Sequence, residues 1–248
     1  MTESRNYPQV LNLMWAAPLA ALLCLFLPAL AVAADEDADN ARIKASGDVL
    51  RELLNGPNGI PINLLNKAEC VVVLPSVKKA GFIVGAQYGK GVMTCRSGEN
   101  FKGNWSAPIM MQSSGGSFGL QAGGQATDFV VLVMNDKGAR SVLKGNAKLG
   151  TDASVAAGPV GRDAEASTTA SMTAEMLSYS HAQGVFAGVS LSGTSLGPDR
   201  GANEKVYGKK GITGEDIFSG SVQAPPAADA LLATLQSKSP ANISRGKS

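Results

Sequence analysis

The sequence predicts an α+β fold: a curved, mainly antiparallel β-sheet or barrel-like core with N-terminal helices packed on it. Three observations predict it. Over Asn40 to Leu54, apolar residues recur near a 3.6 period. Beyond Lys67 they come instead in short continuous runs or in alternation, as buried and half-buried strands require. The chain also carries 29 glycines, and close turns separate the runs, which suits hairpins better than repeated crossover units.

Residues 1–34 read as a cleavable secretory signal. Arg5 lies in a thin polar start, an apolar stretch runs from about Leu13 to Leu30, and Ala31-Val32-Ala33-Ala34 precedes Asp35-Glu36-Asp37. Small side chains ahead of an acidic start are what signal peptidase binds and cuts. Pro18 and Pro28 interrupt the stretch, which argues against a continuous spanning helix. Cys24 follows Leu23, where a lipoprotein cysteine would follow a small residue. The expected location is therefore periplasmic or secreted, including a peripheral position on a membrane face.

Residues 35–66 form the N-terminal helical segment. Its acidic start, Asp35 to Asp39, is expected to be mobile. Ala41, Ala45, Val49, Leu50, Leu53 and Leu54 then make an apolar stripe, with Arg42, Lys44, Asp48 and Arg51 between them. Asn55-Gly56-Pro57 stops that helix, and a second fits Ile62 to Lys67.

Residues 67–220 are strand-rich. Val71-Val72-Val73-Leu74 is a continuous apolar run, as in a strand buried on both faces. Lys78-Lys79 marks a turn. Phe82-Ile83-Val84 and Gly91-Val92-Met93 read as strands around a tight loop, Tyr88-Gly89-Lys90. Further strands fit Trp105 to Met111, Phe118 to Gln121 and Phe129 to Met134, and Asn135-Asp136 caps a short helix with Ala139, Val142 and Leu143. Ala147, Leu149, Ala153, Val155 and Ala157 alternate with polar residues, as do Val185, Ala187, Val189 and Leu191. Residues 221–248 read as a flexible tail with a short helix from Ala228 to Leu235.

Without Arg5 and Glu3 of the signal, 22 basic and 20 acidic residues become 21 and 19. So even a balance gives nucleic-acid binding no electrostatic support. Cys70 and Cys95 remain once Cys24 is removed. In an oxidising compartment they form a disulfide candidate that would stabilise the fold by about 3 kcal/mol; the rival is two buried thiols on neighbouring strands.

Sharper motifs fail on their neighbours. Gly193-Thr194-Ser195-Leu196-Gly197 matches G-x-S-x-G, but turn residues follow where the nucleophile elbow needs a helix, and the single histidine, His181, precedes the serine. Around Gly89-Lys90, Val84 and Gly91 stand where a phosphate-binding loop needs Gly and Ser or Thr. Asp35, Asp37 and Asp39 have calcium-loop spacing, but Asn40 and Ser46 occupy the sixth and twelfth positions. No metal, cofactor or catalytic residue is expected. An outer-membrane barrel would need aromatic girdles, and the chain is 5% aromatic.

The run Val73-Leu74-Pro75-Ser76-Val77-Lys78-Lys79-Ala80-Gly81-Phe82 through Tyr88-Gly89-Lys90-Gly91 resembles the opening signature of the SYLF domain family. Trp105-Ser106-Ala107-Pro108 is similar to its W-S-x-P, and Gly116 to Gly123 to its G-S-x-G-x-Q-x-G. The stretches Leu149 to Arg162, Tyr179-Ser180, Gly184 to Leu191 and Asn203 to Gly208 follow in the family's order. The likeness covers about 150 residues, from Lys67 to Phe218. It implies a lipid-binding module; eukaryotic members bind phosphoinositide membranes, partly through an N-terminal amphipathic helix, and some act in actin regulation. Bacterial members are secreted or periplasmic. For this chain the expected partner is an anionic phospholipid membrane, contacted by Lys78, Lys79 and Lys90 and by Arg42, Lys44 and Arg51 of the first helix. The alternative is a structural or protein-binding envelope protein without catalytic activity.

Overall fold

The computed structural model describes residues 37–56, 59–81, 84–118, 123–145, 147–161, 173–182, 185–188, 191 and 193–244. The signal predicted over 1–34 lies outside them. Asp39–Ser248 forms one compact unit. The helices are α1 (37–55), α2 (Ile62–Lys67), α3 (Asp136–Leu143), α4 (Arg200–Tyr207), α5 (Gly214–Phe218) and α6 (Asp229–Lys238). The strands are β1 (Cys70–Gly81), β2 (Val84–Cys95), β3 (Ile109–Phe118), β4 (Gly123–Val133), β5 (Ala147–Lys148), β6 (Val155–Ala157), β7 (Met176–Ala182), β8 (Val185–Gly188) and β9 (Thr194–Pro198).

The strands form one sheet in the order β5-β9-β3-β2-β1-β4-β7-β6, with β8 also on β7. All pairings are antiparallel except β6 with β7. The sheet curls into a half-barrel, so the predicted α+β class holds. Alternate residues of the central strands enter two separate cores. Val71, Val73, Val92, Met110, Val130 and Leu132 pack under α1, α2 and α6. Val72, Met93, Met111, Val131 and Val133 pack on the other side with Val142 of α3 and Ile217 of α5. Burial on both faces explains the continuous apolar run at Val71 to Leu74.

Cys70 and Cys95 are direct partners across β1 and β2, with Cα atoms 4.0 Å apart, and are joined by a disulfide. The capped helix is also present: the Asn135 side chain accepts from Gly138 N at 2.9 Å at the start of α3.

Several elements differ from expectation. Helix α1 begins by residue 37, and Asp39, placed in a mobile start, is only 6% exposed and pairs with Arg42. Tyr88, Gly89 and Lys90 form no loop but lie inside β2, and Lys78 and Lys79 lie inside β1. The glycines there serve close backbone approach: a Cβ on Gly91 would stand 1.9 Å from the Val73 carbonyl oxygen. The run from Ala147 to Ala157 is broken at Gly150 (φ 90°), where Lys148 N donates to the Asp152 side chain at 2.9 Å. Helix α4 follows directly where turn residues were read at Gly197 to Asp199, and α5 lies where no element was assigned; they are started by the Asp199 side chain and by a Thr213–Asp216 capping box.

The segment read as a tail carries α6, whose Leu231 and Leu235 are buried with Ala228. Beyond it, Arg96 Nη2 donates to Ser239 O (3.0 Å) and Ala241 O (3.2 Å), Trp105 Nε1 donates to Ser239 O (3.0 Å), and Ile243 N donates to Asn66 O (2.9 Å). No described helix is long and apolar enough to cross a membrane.

Candidate functional site

Strand β1 carries one extra residue between Leu74 and Val77 relative to β4, and one between Val73 and Lys78 relative to β2. Ser76 sits in this bulge with φ 52°, and its N–H donates to the Asp128 side chain at 2.7 Å. The bulge reverses the alternation. Leu74 and Val77 share one core, so Lys78 emerges on the face that α1, α2 and α6 cover further along, and Lys79 on the opposite face.

Backbone pairing then defines a row across six strands: Ala126, Lys78, Tyr88, Ser114, Ser195 and Lys148. Every member is exposed except Ser195, which is half-buried, and Tyr88 is 48% exposed. The row holds no carboxylate, and Lys78 and Lys148 make no ion pair among the described residues. Lys90, two residues from Tyr88 on the same face, bonds the Asp199 carboxylate at 2.7 Å. That bond raises its ammonium above the ordinary lysine range, while the nearby charge of Arg42 acts in the opposite sense. Arg42, Lys78 and Lys90 thus belong to one surface region, although two of the three already have carboxylate partners.

The remaining expected residues separate from it. Lys79 lies 5.1 Å from the centre of the Phe129 ring, and partial burial lowers its pKa. Lys44 is exposed on α1, and Arg51 pairs with Asp48 along the same helix. The apolar stripe of α1 is occupied: Ile43, Val49, Leu50, Leu53 and Leu54 are buried in the domain's own core. Tyr88 and Lys148 were missed because their places in the row depend on cross-strand register. Ser195, paired with Ser114 and Lys148 inside β9, stands on no strand-to-helix elbow. Among the described residues no group of three or more His, Cys, Asp or Glu side chains is placed to hold a metal ion.

Beside this face a cleft of about 850 Å³ opens between the end of α3 and the starts of α4 and α5. Gln112, Lys144, Asp199, Arg200, Glu204 and Glu215 are among its lining residues. It adjoins the row through Gln112, which faces outward on β3 between Met111 and Ser113, and through the bond from Lys90 to Asp199.

The class these features define is an α+β domain whose curled sheet leaves part of one face open beside a polar cleft. A family model described as "Ysc84: Las17-binding protein actin regulator" matches residues 114–238, and the chain belongs to this Ysc84, or SYLF domain, family. An SH3 domain-containing protein of Schizosaccharomyces pombe is 40% identical over 199 residues, covering 79% of this chain and 45% of its own length. Protein YSC84 of Saccharomyces cerevisiae is 39% identical over 182 residues, 72% of this chain and 38% of its own. The SH3 domain-containing YSC84-like protein 1 of Mus musculus is 35% identical over 201 residues, 78% of this chain and 58% of its own. The chain spans about half the length of the curated relatives it matches. No solved structure matches. The family's description names a binding protein and regulator, and none of these relatives is named as an enzyme.

Proposed function

We propose that this chain is an exported lipid-binding protein that docks on anionic phospholipid through the open sheet face. The observation that carries this is the row across β4, β1, β2, β3, β9 and β5, with two lysines that make no ion pair among the described residues, an exposed tyrosine and no carboxylate. Tyrosine suits the headgroup level of a bilayer, and each lysine near an anionic surface contributes about 1 kcal/mol. Lys78 is the principal contact, with Tyr88 beside it, Lys148 at the far end of the row, and Lys90 and Arg42 adding field. The disulfide supports export, because such bonds persist in oxidising compartments.

The test sets neighbours in sequence against each other. Lys78→Gln is expected to weaken sedimentation with phosphatidylglycerol vesicles about fivefold, and Lys79→Gln, on the opposite face, to leave it unchanged. Equal losses for the two variants, or no binding by the parent protein, would refute the assignment. A protein partner on the same face is the second reading, favoured by the family's description as Las17-binding. It requires a partner whose capture is lost with Lys78→Gln while lipid is never bound.

A further inference from the structure

The charges lining the cleft divide into those already answered and those not. Asp199 is bonded by Lys90 Nζ at 2.7 Å and by Ala202 N at 3.2 Å. Glu204 Oε1 accepts from Gly211 N at 2.7 Å. Glu215 is exposed and has no ion-pair partner among the described residues, since Arg140 pairs with Asp136. Asn203, 1% exposed, is fully engaged with the backbone, donating to Met110 O and Asp199 O and accepting from Met110 N. Two cations remain: Lys144, just after α3, and Arg200, the first residue of α4. Both are exposed and neither has an ion-pair partner among the described residues.

We propose that this cleft is a phosphate-recognition site, in which Lys144 and Arg200 bind the oxygens of a phosphate ester and Gln112 hydrogen-bonds its organic part. A planar guanidinium and an ammonium on two walls match the several acceptor oxygens of such a group. A cleft of about 850 Å³ admits a polar headgroup. Because it adjoins the sheet face, the phosphate can belong to a lipid lying on that face or to a soluble ester. Only the lipid source rests on the function proposed above.

The test titrates the full chain with glycerol 3-phosphate and, separately, with phosphatidylglycerol vesicles. Lys144→Gln and Arg200→Gln are each expected to weaken glycerol 3-phosphate binding about fivefold, the change that about 1 kcal/mol per cation represents. Gly201→Glu is the discriminating variant. A Cβ at Gly201 meets nothing closer than Asp199 Oδ1 at 3.8 Å, and a carboxylate in the first turn of α4 favours the helix. It should therefore abolish ester binding without lowering the melting temperature. Competition between ester and vesicles assigns the phosphate to lipid, and ester binding without competition assigns it to a soluble compound; both support the site. Ester binding unaltered by all three variants, or absent from the parent protein, overturns it. Ester binding unaltered by these variants, together with vesicle binding that falls only with Lys78→Gln, would leave the lipid reading standing and this site refuted.

Discussion

Replacing Arg96 by alanine should lower the unfolding free energy by about 3 kcal/mol and free the C-terminal segment. The side chain is fully buried. Nε donates to Ala68 O at 3.3 Å, and Nη2 to Ser239 O, Ser239 Oγ and Ala241 O at 3.0, 2.5 and 3.2 Å. The guanidinium also lies 4.2 Å from the centre of the Trp105 ring. Nε and Nη2 carry three N–H groups between them, so these contacts count as about three bonds to a charged donor at about 1.5 kcal/mol each, and with a desolvated cation–π contact of about 1–2 kcal/mol they favour the folded state. Opposing them, burial pushes the Arg96 pKa down to about 10, which is worth about 3 kcal/mol against the buried charge. The balance is about 3 kcal/mol. Urea unfolding measures the first effect. Amide exchange at Ile243, whose N–H donates to Asn66 O, measures the second. Arg96→Lys keeps the charge but fewer of the bonds, so it should fall between the two proteins. An Arg96→Ala change below about 1 kcal/mol, with Ile243 exchange unaltered, would refute this account of how the C-terminal segment is held.

Leu235→Ala, at a fully buried position of α6, should cost about 2–5 kcal/mol in urea unfolding; a negligible effect would return α6 to the status of a tail. Cys70→Ser with Cys95→Ser should lower stability by about 3 kcal/mol under oxidising conditions. With reductant present during unfolding the gap should close, and a gap that persists would mean that packing of the sulfurs, not the cross-link, stabilises the strands. The bond to Asp199 holds the Lys90 pKa above its unfolded value, so its contribution is fully present below the unfolded lysine range and is lost as pH rises through the folded value. Melting temperatures on the alkaline side should therefore fall further for the parent protein than for Lys90→Met, and superimposable profiles would refute the linkage.

Local pattern settled much of the architecture. The two N-terminal helices, the buried run at Val71 and the capped helix after Asn135 follow from spacing and caps, whereas for Cys70 and Cys95 the sequence left a disulfide and two buried thiols on neighbouring strands both open. Helices α4 and α5 carried signals as well: Asp199 as N-cap with Gly208 (φ 60°) as C-terminal stop, and the Thr213–Asp216 box. The first was masked by Gly197 and Pro198, which look like turn residues although Gly197 pairs with Gln112 inside β9. The tail was misjudged because polar, proline-bearing composition says nothing about a buried arginine 143 residues away in the chain.

By itself the sequence determined the two N-terminal helices, the capped helix after Asn135, the strand buried on both faces at Val71, and which cations were available. Those properties depend on residues a few positions apart, where periodicity and capping act. Only the tertiary structure decided which cations share a surface. Side chains in a strand alternate with period two, so one extra residue exchanges the faces of everything beyond it. The bulge at Ser76, held by Asp128 from 52 positions further along, turned Lys78 toward Tyr88 on the open face and Lys79 toward Phe129 on the other.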